Sequence, residues 1–277
     1  GEHAYQIGAG HGAIAHYERG RSLLEALQPA DWRARLVTTD IQIGKAQMRL
    51  SLYPEASAQL DDALNRAQAL ERPPLVAEAL CFLGRIALLK GDHAGAAAQV
   101  GESLALFRSL GDARGVAETL ASLGHLDVFL GEPDTAAAHL EESLRTFRAL
   151  NDARGTAHAL AALGDLATRR GDLDEAARLL QESLALNRQI GNRASTAGVL
   201  MHLGLVALFQ GDAGVAVARL SESLGLFREV GERAGEAACL NPLGYGALES
   251  GAPADAQGYF AQSLDLSRAL GDEWGAA

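Results

Sequence analysis

The dipeptide Leu-Gly at 83–84 returns at 123–124, 163–164, 203–204 and 243–244, an interval of forty residues held without slippage. A chain tied to that period folds as a row of like units, each too small to bury its own apolar face and each completed by its neighbours. Further columns keep the interval. Ala56, Ala96, Ala136, Ala176, Ala216 and Ala256 form one; Leu64, Leu104, Leu144, Leu184, Leu224 and Leu264 form another; Leu80, Leu120, Leu160, Leu200 and Leu240 form a third; Ala77, Ala117, Ala157, Ala197, Ala237 and Ala277 form a fourth. A fifth column, Ala87, Ala167, Ala207 and Ala247, is broken by Asp127.

Inside a unit the apolar residues follow helical spacing, as in Leu160, Leu163 and Ala167 and then Leu180 and Leu184. Two breaks per unit cut it into a helix pair. Gly91-Asp92, Gly131-Glu132, Gly171-Asp172 and Gly211-Asp212 mark the turn within a unit; Gly111-Asp112, Asn151-Asp152, Gly191-Asn192, Gly231-Glu232 and Gly271-Asp272 mark the turn between units. The first residue of each pair suits a left-handed helix end and the second suits a helix start. Each helix is then roughly 17–18 residues, or about 26 Å at ~1.5 Å per residue. The expected fold is all-α, an α-solenoid of stacked antiparallel helix pairs.

The register predicts a single solenoid over 1–277: a partial unit at 1–30, repeats at about 31–71, 72–111, 112–151, 152–191, 192–231 and 232–271, and the start of another at 272–277. The first full unit is degenerate, keeping Ile43-Gly44, Ala56 and Leu60, with Pro73-Pro74 expected to replace the Gly-Asp link and stiffen that turn. Units cut at both ends imply a piece of a longer protein, with neighbouring domains on both sides and apolar ends prone to end-to-end self-association.

Ala96, Val100 and Ser103 set a small-large-small pattern thirteen to twenty residues after Leu83-Gly84, and it returns as Ala136-Leu140-Ser143, Ala176-Leu180-Ser183, Ala216-Leu220-Ser223 and Ala256-Phe260-Ser263. This pattern resembles the tetratricopeptide repeat in a forty-residue form with lengthened helices, and the resemblance covers almost the whole chain. It implies a right-handed superhelix whose first helices line a concave wall. Residues 102–115, Glu-Ser-Leu-Ala-Leu-Phe-Arg-Ser-Leu-Gly-Asp-Ala-Arg-Gly, resemble the sensor solenoids of large bacterial regulators such as the maltose-gene activator family. That resemblance implies a non-catalytic segment sensing an inducer or a partner on behalf of a signal-transduction or transcriptional regulator. The alternative is a scaffold holding a peptide or protein in its groove. Relatives that grip peptides commonly carry Asn just before the Leu-Gly pair; here Phe82, Ser122, Ala162, His202 and Pro242 stand there. The lysine-rich carboxylate clamp of chaperone adaptors is missing too, so neither grip is carried over.

Charge narrows the partners. A net charge of −11 and a pI near 5.2 argue against a nucleic-acid or anionic-membrane surface on this segment. No apolar run approaches the ~20 residues that span a bilayer. Cys81 and Cys239 stand about four units apart in the register, too far to bridge, which predicts a reducing cytoplasm. Lys45 and Lys90 are the only lysines beside many arginines, a bias of GC-rich bacterial genes.

Enzyme and cofactor readings find little footing. Gly8-Ala9-Gly10-His11-Gly12-Ala13 has the glycines of a dinucleotide turn but no preceding strand, so it reads as an inter-helix turn. Ser143 and Ser183 fall at close-packing positions without an attendant histidine column. The eight histidines give no HExxH spacing, and neither metal nor cofactor is expected. The arginine column Arg108, Arg148, Arg188, Arg228 and Arg268 reads as solvated charge at helix C-termini. Polar side chains at the presumed concave register are the remaining candidates: His125, Asp165 and Tyr245 at one position of successive first helices, with His158 two turns before Asp165. With Phe129, Arg169, Met201, His202, Phe209 and Asn241 they form the expected ligand or partner groove, apolar at its centre and polar at its edges.

Overall fold

The computed structural model describes residues 10–270; Gly8-Ala9, Gly271-Asp272 and the further unit expected at 272–277 lie outside the described residues, and residues 10–13, expected in an inter-helix turn, are helical instead. Among the described residues there are thirteen helices and no strand: α1 (Gly10–Leu27), α2 (Trp32–Arg49), α3 (Tyr53–Ala69), α4 (Pro73–Leu89), α5 (His93–Leu110), α6 (Ala113–Leu130), α7 (Pro133–Ala149), α8 (Ala153–Arg170), α9 (Leu173–Gln189), α10 (Arg193–Phe209), α11 (Ala213–Val230), α12 (Arg233–Glu249) and α13 (Pro253–Leu270). The helices run 17 or 18 residues, the length set by two turns per forty-residue period.

The turns work as the residue types require. Gly91, Gly111, Gly131, Gly171, Gly191, Gly211, Gly231 and Gly251 all have positive φ, and Asn151 takes the same backbone at φ 52°. The next residue caps the following helix in five places: Asp92, Asp112, Asp152 and Asp212 accept from the N–H groups of Gly95, Gly115, Gly155 and Val215, and Asn192 accepts from Ser195. One expectation is corrected. Pro73-Pro74 do not replace the Gly-Asp link; Glu71, at φ 51°, and Arg72 hold those positions. The prolines instead open α4, where their missing N–H groups would have no helical partner anyway.

The described helices divide into two compact units, one ending at Ala162 and the other beginning at Leu163, within α8. In each, consecutive helices pack against each other, and first helices also touch the next first helix: α2 with α4 and α4 with α6 in unit 1, α10 with α12 in unit 2. The Leu-Gly glycine permits the tight approach inside a pair. A Cβ on Gly84 would lie 2.5 Å from Val100, on Gly124 2.5 Å from Leu140, and on Gly204 2.5 Å from Leu220. These partners are the large member of the small-large-small pattern and are almost wholly buried. Its last member is bonded: the Oγ–H groups of Ser103, Ser143 and Ser223 donate to the carbonyls of Ala77, Ala117 and Ala197 at 2.7–2.8 Å. The repeated serines are therefore spent on the frame. The leucines of the Leu-Gly pair are less uniform, since Leu83, Leu203 and Leu243 are buried but Leu123 and Leu163 are half-buried.

Between repeats a second column pair does the packing. Phe107, Phe147 and Phe227 lie so close over Gly115, Gly155 and Gly235 that a Cβ there would meet the rings at 2.2–2.4 Å. In unit 2 the equivalent positions hold Asn187 and Ser195; Asn187 is buried, and its Nδ2 donates to the Ser183 carbonyl at 3.1 Å. Asp40 departs from the leucine column in unit 1. It is fully buried, with Arg66 at 3.0 Å and Arg21 of α1 at 3.6 Å. Burial raises its pKa, and the two arginines oppose that rise. Finally, α12 carries Pro242 in its interior.

The arginine column is exposed, as expected, but it is also paired along the outer helices. Arg188 reaches Glu222 at 2.7 Å, Arg108 reaches Glu142 at 3.8 Å, and Arg228 donates to Gln262 at 3.0 Å.

Candidate functional site

In unit 1 the register places Lys45 on α2, Arg85 on α4 and His125 on α6 at one position of successive first helices. Phe82, one turn before Arg85, is buried between two of them: the Lys45 ammonium lies 4.5 Å and the Arg85 guanidinium 5.1 Å from its ring centre. Both distances suit cation–π attraction, which fixes two long side chains at modest entropic cost. Lys45 also donates to Glu78 at 3.1 Å, and Arg114 holds Glu118 at 3.3 Å.

His125 and His158 meet in the same unit, their ring centres 5.7 Å apart and tilted by 57°. The pKa of His158 lies below the ordinary imidazole value. Crowding by the surrounding protein is the larger cause, and the charges of His125, Arg85 and Arg49 push the same way. His158 is an exposed residue at this position. Phe129, one turn beyond His125, is 62% exposed, with the His93 ring 6.5 Å away.

Unit 2 carries a different group. Asp165 accepts from the Arg169 Nε–H at 2.9 Å, and its other oxygen lies 3.5 Å from His202 Nδ1. Desolvation depresses the His202 pKa, with Arg169 adding to that and Asp165 opposing it. Met201 is half-buried beside it. Phe209 and Tyr245 are 65% and 60% exposed, Asn241 is exposed as well, and Tyr245 sits edge-on to Phe260 at 5.4 Å. The expected site residues thus fall into two groups: His125, Phe129 and His158 in unit 1, and the other seven in unit 2.

The sequence register places Phe82 and Arg85 on the presumed wall, but it missed Lys45 and Arg49 and the stacking of Lys45 and Arg85 on Phe82. The signal was available, because Lys45 and Arg85 precede His125 in the same column; it was hidden by the degenerate first unit. It also left Asp127 as a mere break in an alanine column. In the structure that carboxylate is buried and bonded to His139 Nδ1 at 2.7 Å.

Among the described residues no three His, Cys, Asp or Glu side chains converge as metal ligands. None of their helices is long and apolar enough to cross a membrane. Cys81 and Cys239 are both free and buried.

The family model for the tetratricopeptide repeat matches residues 75–149 and 115–189. Residues 75–189 carry tetratricopeptide repeats. No curated protein matched it. Among solved structures, it is similar to the APC/C hetero-tetramer Cut9–Hcn1, with a TM-score of 0.69 at 18% identity, over 99% of this chain and 46% of that one. It is also similar to the Signal Transduction ATPase with Numerous Domains from Pyrococcus horikoshii, which has a tetratricopeptide-repeat sensor: TM-score 0.69, 16% identity, 95% of this chain and 41% of that one. A Rap protein complexed with Competence and Sporulation Factor gives a TM-score of 0.68 at 14% identity, over 95% of this chain and 82% of that one. This chain spans less than half the length of the first two, and identities this low show the fold alone. That fold is one of protein interaction, generally non-catalytic.

Proposed function

We propose that this tetratricopeptide-repeat chain is a non-catalytic, partner-sensing segment of a signal-transduction regulator, and that its first-helix wall takes up a protein or peptide. The observation that carries this reading is the exposure of large apolar side chains at one register of the first helices. Leu89 and Phe129 in unit 1 and Phe209 in unit 2 share one position of the forty-residue register, with Arg169 at the intervening one; each of the three is more than half exposed, while the packing columns around them are sealed. Exposed aromatic side chains beside polar groups are the usual makings of an interaction hot spot. The regulator part of the reading draws on the similarity to the sensor-bearing signal-transduction ATPase and to the Rap protein, and it is a proposal for this chain.

Panning a random peptide library against the chain tests it. Selected peptides are expected to lose about tenfold or more in affinity with Phe129→Ser or Phe209→Ser, the scale of one hot-spot residue. Arg188→Ala, on an outer helix, is expected to leave them bound. Loss with Arg188→Ala alone moves the partner to the outer helices and overturns the wall. For the regulator, a nucleotide-binding or helix-turn-helix segment in the flanking coding sequence is the expected finding; repeats from end to end favour a scaffold instead.

A further inference from the structure

The leucine column of the first helices is broken at its first member. Leu80, Leu120, Leu160, Leu200 and Leu240 are buried apolar side chains, and the same register position of α2 holds Asp40, whose side chain is fully buried too. Its carboxylate lies where three helices meet. Arg66 of α3 reaches Oδ2 at 3.0 Å, and Arg21 of α1 stands 3.6 Å from Oδ1. The first contact is a hydrogen-bonded ion pair; the second is too long for a hydrogen bond, so Oδ1 is buried without one. An ionised carboxylate in that position carries a desolvation cost that its neighbours only partly offset.

Apolar packing holds α1 only lightly. Of the side chains described on it, Ala13 alone is buried, with Ile14, Tyr17 and Leu24 half-buried, and the apolar cluster that joins α2, α3 and α4 takes in none of them. Its seat therefore responds to the charge beneath it. Both arginines keep a second acidic partner on their own helix, Glu25 at 3.6 Å from Arg21 and Asp62 at 2.5 Å from Arg66, and both are partly exposed. A proton on Asp40 thus strands neither cation, and it removes the one charge that lies fully inside. Those four groups, from α1 and α3, are the charges that act on Asp40; from α4, Glu78 is bonded to Lys45, Arg85 stacks on Phe82, and Arg72 at the start of that helix is bonded to Asp31. Burial holds the Asp40 pKa above its ordinary 3.8 against the pull of Arg21 and Arg66. Once α1 lifts, the carboxyl meets water and returns toward that value.

We propose that Asp40, Arg21 and Arg66 form a proton-linked clasp at the α1 end of unit 1: with Asp40 ionised, α1 lifts readily from α2 and α3, and with Asp40 protonated it is seated firmly. Linkage sets the direction. A group whose pKa is higher in the closed state adds to closing below its open-state value, and that addition is lost as pH rises through the closed-state value. His158 and His202, whose pKa values are lowered, act in the opposite sense. Acid therefore tightens α1 while it loosens the repeats that carry those histidines, and neutral pH leaves the α2–α3 face beneath α1 the more accessible.

Hydrogen–deuterium exchange tests the clasp on the intact chain. Protection of the α1 amides, taken relative to those of α5 and corrected for the intrinsic rate at each pH, is expected to rise as pH falls from about 7 to about 4, by up to about tenfold for each unit that separates the closed and open pKa values. Asp40→Asn, which mimics the protonated carboxyl, should show the acid level of protection at both ends of that range, and Asp40→Leu should do the same by restoring the column. Arg21→Gln should lower α1 protection near pH 7 and enlarge the rise in acid. Thermal melts check that each variant is folded; if Asp40→Asn is not, the native profile and Arg21→Gln decide. A rise of the same size in Asp40→Asn assigns the effect to another group and overturns the clasp. No rise in the native chain, or a smaller one in Arg21→Gln, overturns it too. Lower α1 protection in Asp40→Asn throughout makes the trio a plain ion-pair fastener and overturns the proton linkage.

Discussion

Phe107 over Gly115 and Asn187 with Ser195 occupy the same junction in two different repeats, and the two are built on opposite terms. At the first, an aromatic ring fills the space that a missing Cβ leaves, 2.3 Å from where that atom would stand. At the second, both members have changed: the ring has become a buried amide that bonds to the turn behind it, and the glycine has become a serine that joins the helix cap. The difference teaches that this junction is a coupled pair. A side chain can replace the glycine only once the ring is gone, whereas the ring can go alone, as in the sequence Ser267 precedes a retained Gly275; the polar version gives up the apolar burial of a phenylalanine.

The largest effect should come from emptying the apolar junction. Phe107→Ala is expected to cost about 3–5 kcal/mol, the range for deleting a buried aromatic ring; a denaturant melt showing less than ~1 kcal/mol would mean the ring is not part of the core. Next, Asn187→Phe alone should cost about 1–3 kcal/mol, because the new ring meets the Ser195 Cβ. Adding Ser195→Gly should recover that loss, and a double-mutant cycle reads the coupling directly. If the two changes simply add, the junction is not a pair.

Through one histidine in each, acid acts on both units in the same direction, and by a smaller amount. His158 in unit 1 and His202 in unit 2 both have folded pKa values below the ordinary 6.5, so the folded state binds fewer protons than the unfolded chain below that pH. Stability from both is complete above about 6.5 and declines as pH falls through that value toward the folded pKa. His202→Gln should flatten the decline in a pH series of thermal melts; an unchanged slope excludes it as a source. The smallest effect belongs to the outer ladder: Arg188→Ala removes an exposed ion pair and should cost well under ~1 kcal/mol.

The frame was legible because it repeats. Glycine, small-large-small and leucine columns each carry one physical requirement, and five or six copies of the requirement make it visible in a single chain. Even the exception at Asn151 could be read, since asparagine tolerates the backbone that glycine usually supplies. Departures from the columns were harder. Asp40 stands where other repeats have leucine, and only the structure pairs it with Arg21 on one side and Arg66 on the other. Asp127 and His139 make a similar exchange of alanine packing for a hydrogen bond. The candidate wall was legible as a register, so Phe129, Phe209 and Tyr245 could be chosen as exposed. Its chemistry was not, because the Lys45–Phe82–Arg85 stack depends on side-chain reach across neighbouring helices, which spacing alone does not report.

Pro242 has no N–H to return to the carbonyl of Ala238, so one rung of the α12 ladder is missing in the middle of the helix. A missing rung lowers the work needed to part that helix from its neighbours, and local openings should begin there. Amides on either side of it should trade hydrogen for deuterium earlier than their counterparts in α10, which has the same length and no interior proline. α12 is then expected to loosen before α10, and a protease admitted by such openings to cut it sooner.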